Sequence, residues 1–158
     1  MHHVQCVADR RAHKIVEEQR IHGCGRHVEA VVEEFYAAMA AKNLQRLQEA
    51  LAPDVVVTQD ERLPWGGRYV GHDGFVEFAL KLIGLIDSSV TILAIFEADD
   101  SVVQFGHTRG TTQASGTAFD IAEVHRWVIV DGRATEAYFA IDTAAMLTAL
   151  AGDPPVDG

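Results

Sequence analysis

The chain has 158 residues, 48% of them apolar and 23% charged, which is enough for one domain around a single core. Its formal charge of -10 gathers after residue 27, where 8 Lys and Arg stand against 20 Asp and Glu. A surface that acidic excludes nucleic acid and anionic membrane as natural partners, and no run approaches the ~18 apolar residues of a membrane span.

Residues 1–26 carry four of the eight histidines (His2, His3, His13 and His22) and lack the apolar stretch of a secretory signal. They read as a loosely ordered extension or as an arm that covers a partner subunit. Cys6 and Cys24 both lie there, where a disulfide would staple a tail and not a core, so free thiols and a cytoplasmic location are expected.

From His27 the apolar residues Val28, Val31, Val32, Phe35 and Met39 recur at helical spacing, opposite Glu29, Glu33, Glu34 and Lys42. Asn43 can cap a second helix through Leu44, Leu47 and Leu51 that Pro53 stops. A short strand over 55–59 follows, then a Gly- and Pro-rich stretch, LPWGGRYVGHDG, predicted to be irregular. A third helix carries Phe75, Phe78, Ala79, Leu82, Ile83 and Ile86 on one face, with His72 and Asp73 as capping residues. Strands are predicted over 89–98, 102–112, 117–130 and 133–141, and a last short helix over 143–150, with Asp142 at its cap. Residues 151–158 read as a disordered tail.

Asp131-Gly132, between two runs of β-branched and aromatic residues, is a strong hairpin signal because both turn positions favour positive φ. On the strand before it Phe119, Ile121, Glu123, His125, Trp127 and Ile129 share one face. That face is either a core with two satisfied polar groups or the wall of a binding cavity. A two-residue turn at Ser115-Gly116 would pair residues whose numbers sum to 231, setting His125 against Gly106 and His107 against Val124. His107 and Arg109 then fall on the outer face, as interface candidates, unless a bulge reverses the parity.

Helices followed by an antiparallel meander give an α+β class: a curved sheet wrapped around N-terminal helices as a cone-shaped barrel with an internal cavity. The strand over 89–98 is apolar on both faces (Val90, Ile92, Ala94 and Phe96; Leu93 and Ile95). A cover for the outer sheet face is therefore expected, most simply a second copy in a homodimer.

VEAVVEEFYAAMAAKNL, LAPDVVV, WGGRYVGHDGF and EVHRWVIVDGRATEAYFAID resemble the nuclear transport factor 2-like superfamily over residues 27–150. Its members include SnoaL-like polyketide cyclases, steroid isomerases and limonene epoxide hydrolase. The resemblance implies the cone, but the catalytic positions depart from it. Where steroid isomerases carry an oxyanion-binding tyrosine this chain has Phe35, with Tyr36 one position on and facing elsewhere. Their base falls on Gln59, beside Asp60, and their protonated carboxyl group falls near His125. The Asp-Arg-Asp arrangement of the epoxide hydrolases is absent.

The candidate catalytic residues are therefore His125, Glu123 and Asp60. An imidazole titrates near neutrality, and a carboxyl group in an apolar wall has a raised pKa. Gln59, Trp65, Tyr69, Trp127, Phe35 and Phe139 are the candidate ligand contacts. A salt bridge between Glu123 and His125, an Asx turn at Asp60 and a Trp65 that merely plugs the cone are the plain structural alternatives. The domain histidines are too scattered for a metal site, and Gly23-Cys24-Gly25 lacks the third glycine of a dinucleotide loop, so neither metal nor cofactor is expected. The expected function is binding of a small apolar molecule with cofactor-independent acid-base chemistry of isomerase, cyclase or hydratase type. Non-catalytic carriage in the same cavity is the alternative.

Overall fold

The computed structural model describes residues 24–152, with side chains described from Val28 onward. The expectations for residues 1–23, the two thiols and the last six residues lie outside the described residues, whereas residues 24–26, expected as extension, open the first helix. Element order is α1 (Cys24–Ala40), α2 (Leu44–Ala50), β1 (Leu51–Gln59), β2 (Gly67–Val70), α3 (Gly71–Leu85), β3 (Ile86–Ala98), β4 (Ser101–Thr112), β5 (Ala118–Val130), β6 (Arg133–Ile141) and α4 (Thr143–Leu150). The fold is α+β. One curved, unclosed sheet of six strands runs in the order β2-β1-β6-β5-β4-β3, and the helices pack in its concavity. All neighbours are antiparallel except β1 and β6, which run parallel.

The local signals act as the side-chain chemistry requires. Asn43 Oδ1 accepts from the Arg46 N–H at 3.2 Å and Asp142 Oδ1 from the Ala145 N–H at 3.1 Å, each satisfying an orphan donor at a helix start. Asp131 and Gly132 both take positive φ, 51° and 77°, and close the β5–β6 hairpin. β1 begins at Leu51, earlier than the sequence suggests, because Pro53 and Asp54 are absorbed as an irregularity between the Leu51–Ala134 and Val56–Glu136 pairs. The stretch expected to be irregular contains β2 and the first turn of α3. His72 does not cap that helix; its Nε2 lies 3.0 Å from the Leu51 carbonyl and ties α3 to β1. Ile86 leaves α3 and opens β3.

The register of β4 against β5 differs from the expected one by two residues. Paired numbers sum to 229, so His125 lies opposite Gln104 and His107 opposite Ala122. The cause is Gln113. Its backbone N–H donates to the Leu85 carbonyl at 2.9 Å and its side chain to the Ile83 carbonyl at 3.3 Å, so it caps the C-terminus of α3. The turn consequently widens to residues 113–116, closed by the Thr112 N–H on the Thr117 carbonyl at 2.9 Å. A slip of two preserves pleat parity, and His107 and Arg109 remain on the outer face, where both bind Asp120 (2.6 and 2.8 Å).

The core is aromatic at its centre. Phe35 of α1 meets Trp127 at 4.7 Å between ring centroids, Phe75 at 5.7 Å and Phe139 at 6.1 Å, which joins helices to sheet. Val32, Ala38, Leu47, Val55, Val57, Val102, Ile121, Ala137 and Met146 fill the space around it.

Two glycine substitutions should act with opposite sign. A Cβ on Gly106 would sit 2.1 Å from the Thr91 carbonyl oxygen and 2.6 Å from Gln104 Nε2, so Gly106→Ala should cost ~1–3 kcal/mol by overpacking. Gly84, inside α3, has nothing within 4 Å of its Cβ position, and Gly84→Ala should add ~0.5–1 kcal/mol. Urea unfolding midpoints check both.

Candidate functional site

Four polar side chains meet at the inner end of the sheet's concave face. Pleat alternation turns Glu123 and His125 of β5 inward, to 3% and 5% exposure, and brings Gln104 of β4 beside His125. Tyr36 reaches them from α1. The four form a ring joined by three hydrogen bonds and one close approach. The Tyr36 hydroxyl donates to Gln104 Oε1 (3.2 Å), Gln104 Nε2 donates to Glu123 Oε1 (3.1 Å), Glu123 Oε2 faces His125 Nε2 (3.3 Å), and His125 Nδ1 closes on the Tyr36 hydroxyl. Gly106, opposite Glu123, has no side chain, and the Gln104 amide occupies the space a Cβ would take.

Proton positions follow from this arrangement. With the Tyr36 hydrogen on Gln104, His125 donates from Nδ1 to the phenol oxygen, and its Nε2 is left as a bare lone pair. Glu123 Oε2 and His125 Nε2 are buried and complete no hydrogen bond, despite their 3.3 Å approach. Each such buried, unpaired atom costs ~1–3 kcal/mol; Glu97 Oε1 and Trp127 Nε1 share that state, but Glu123 and His125 are the two that lie side by side on the pocket wall.

Burial sets the charges. It raises the Glu123 carboxyl from 4.5 to about 7, with the Gln104 hydrogen bond and the His107 charge opposing. It lowers the His125 imidazole from 6.5 to about 3. It also lifts the Tyr36 phenol well above 10.0, with Glu123 adding to the rise. Near neutrality the site therefore holds a neutral imidazole at His125, a weak base, beside a half-protonated carboxyl at Glu123, the group able both to take and to return a proton.

These groups open onto a pocket of about 270 Å³. Phe35, Trp65, Phe78 and Phe139 supply much of its apolar wall, and Lys42, Asp87, Ser88, Ser89 and Gln113 stand among its polar lining residues. Gln59 lines it too, its Oε1 accepting the Trp65 indole N–H at 2.7 Å.

Of the residues expected from sequence, the structure thus gathers His125, Glu123, Gln59, Trp65, Phe35 and Phe139 around one pocket. Asp60 is not among the lining residues. Arg62 grips it through a fork of bonds at 2.6–3.2 Å, and those bonds hold its carboxyl down at about 2, so it is a poor proton acceptor. Tyr69 donates to the Trp65 carbonyl at 2.9 Å and braces the loop from outside the pocket. Trp127 lies beneath the lining, against Phe35 and Tyr36. Tyr36 does not face elsewhere, as the steroid-isomerase comparison implied; it enters the site. Its signal was the Val32, Tyr36, Met39 spacing, a helical stripe adjacent to the one through Phe35. Gln104 was also missed, and its signal was an amide within an otherwise apolar strand segment, VVQF. Among the described residues no group of three or more His, Cys, Asp or Glu could hold a metal ion, and no helix is long and apolar enough to cross a membrane.

The two opposed shifts predict a specific pH profile. Between pH 4.5 and 6.5 folded Glu123 holds a proton that the unfolded chain releases, while unfolded His125 holds one that the folded chain refuses. Their contributions to the slope of stability against pH cancel. Glu123→Gln removes one side, so relative to the parent its stability should fall by up to ~1.4 kcal/mol per pH unit as pH drops from 6.5 to 4.5. Denaturant titrations of both proteins across that range measure the difference.

The SnoaL-like domain model matches residues 32–137. No curated protein sequence matches the chain. Among solved structures, a nuclear transport factor 2-like protein of unknown function from Burkholderia pseudomallei is 27% identical, with a TM-score of 0.73, over 78% of this chain and 97% of that one. TerC, co-crystallised with polyporic acid, is 26% identical, with a TM-score of 0.73, over 79% and 98%. A protein of ketosteroid isomerase-like fold from Catenulispora acidiphila, in complex with trimethylamine, shares the fold at 18% identity and a TM-score of 0.67, over 78% and 93%. With the helices, the curved sheet and the family match in agreement, the chain belongs to the SnoaL-like domain family of nuclear transport factor 2-like folds.

Proposed function

We propose that the protein binds a small, largely apolar molecule in this pocket and moves protons on it without a cofactor. The observation that carries the reading is the buried pair of Glu123 Oε2 and His125 Nε2, 3.3 Å apart, unpaired and on the pocket wall. Glu123, half-ionised near neutrality, can take a hydrogen from one atom of a bound molecule and return it to a near neighbour, with the neutral His125 beside it, as in the tautomerisation of an enolisable ketone. The Tyr36 and Gln104 bonds hold both groups in place through the transfer. The structures solved with polyporic acid and with trimethylamine support the reading by analogy, since ligands accompany relatives of this fold.

Hydrogen exchange in D2O tests it. Enolisable aryl ketones that bind should exchange their acidic C–H in the presence of the protein. His125→Asn and Glu123→Gln should each lower that rate ~10²–10⁴-fold while leaving apolar binding in place. Bound ketones that show no exchange above background would replace catalysis by carriage, the reading that Phe35 and Gln59 favour by standing where steroid isomerases have reactive groups.

The outer sheet face is the proposed homodimer surface. Phe96, Phe105, Val124 and Tyr138 are 41–56% exposed there, and Phe96 packs edge-on against Phe105 at 5.7 Å. The His107–Asp120–Arg109 cluster and the Arg126–Glu136 pair lie on the same face. Phe105→Asp should turn a dimer into a monomer in sedimentation at micromolar concentration, and a monomeric parent protein would remove the proposal.

A further inference from the structure

Gln59 and Gln104 both point an amide at the site, but they are used differently. Gln104 has both ends engaged, accepting from Tyr36 and donating to Glu123, and is a positioning residue. Gln59 has only its oxygen engaged, by the Trp65 indole N–H at 2.7 Å. That donor identifies which end of the amide is oxygen. Trp65 is fully buried and Gln59 is 5% exposed, so the orientation is locked. The NH2 group is left without a partner among the described residues, on a side chain that lines the pocket.

Sheet register places this donor relative to the acid-base pair. Thr58 pairs with Tyr138 in the parallel β1–β6 ladder, so Gln59 follows in line with Phe139, and Phe139 lies opposite His125. Gln59, Phe139 and His125 thus form one row across three strands, with roughly 10 Å between the outer two Cα atoms at ~4.8 Å per strand. The Phe139 side chain, with Phe35 and Phe78 stacked on its ring at 6.1 and 5.7 Å between centroids, stands in this row between the amide and the His125–Glu123 pair. A flat molecule that spans the pocket from one end of the row to the other meets both.

We infer that Gln59 is the specificity-determining residue of the pocket, donating a hydrogen bond to an acceptor on the ligand. The molecule so selected is planar and neutral, with a carbonyl on the edge toward Gln59 and, on the opposite edge toward His125 and Glu123, an exchangeable hydrogen conjugated with that carbonyl through the ring, a vinylogous C–H or a phenolic O–H. This rests on the acid-base reading above and adds the orientation of the bound molecule. Lys42 is the sole Lys or Arg among the lining residues and His125 is neutral, which matches a ligand without a formal negative charge at its inner end. At about 270 Å³ the pocket is at the small end of ligand sites, suited to one or two rings.

Two probes separate the possibilities. 4-Hydroxyacetophenone carries a carbonyl and a hydroxyl on opposite edges, and 4-ethylphenol keeps the shape and hydroxyl without the carbonyl. Calorimetry on the wild type should show ~10-fold preference for the ketone, consistent with one buried hydrogen bond. Gln59→Met, close in volume but without a donor, should abolish the preference with 4-ethylphenol affinity kept within ~2-fold. Trp65→Phe, which frees the amide to rotate, should give an intermediate preference and guards against misfolding of the first variant. The infrared C=O stretch of 13C-labelled ketone should be shifted down when bound to the wild type and return in Gln59→Met. A preference that survives in folded Gln59→Met, or an equal loss for both probes, overturns the inference while leaving the acid-base reading intact. Failure of both probes to bind folded wild type at millimolar concentration overturns both.

Discussion

The pleat of β5 is the constraint on which the rest depends. A period of two carries Phe119, Ile121, Glu123, His125 and Trp127 to the concave face, and the apolar members of that set leave no freedom to turn the other two outward. Two ionisable groups are therefore taken out of water by the same residues that build the core. Burying charges on both would be expensive, and the shifts show how the expense is avoided: the carboxyl moves toward its protonated form and the imidazole toward its neutral one. Tyr36 from α1 and Gln104 from β4 then satisfy the faces of the pair that point into protein, so helix packing and strand register converge on the same four side chains.

Much of this was legible in the sequence because it depends on local rules. Asp131-Gly132 specifies a tight turn, Asn43 and Asp142 specify helix starts, and alternation on β5 specifies which residues share its inner face. What the sequence left open depends on contacts between distant elements. The β4–β5 register moved by two because Gln113 was engaged by the end of α3, which no pattern within either strand reveals. Parity survived since the widening was even. Tyr36 was misread because the helical stripe through Phe35 accounts for the core by itself, and a residue 100° further round is placed only once the sheet curves up to meet it. Asp60 shows the reverse case: position along β1 suggests a base, whereas Arg62, two residues on, engages the carboxylate.

The outer face of the sheet shows the same residue types under another regime. His107 and Asp120 form a close imidazole–carboxylate pair, much as His125 and Glu123 do, but they are a third to a half exposed and accompanied by Arg109. The hydrogen bond from His107 lowers the Asp120 carboxyl, whereas burial raises that of Glu123. The two carboxyls, on opposite faces of one strand, are thus shifted in opposite directions, and the difference is the presence of water.

That contrast bears on why an amide stands at position 59. A carboxylate there would share the low-dielectric pocket with Glu123, and each would raise the other's affinity for protons, so two exchangeable protons would compete within one small site. It would also have to donate a proton to hold a carbonyl, and so lose the hydrogen-bond donor whenever it ionised. An amide fixed by Trp65 donates at every pH. Glu123 is left as the single group of the site that changes charge near neutrality, with His125 neutral above about 3 and the Tyr36 phenol protonated throughout.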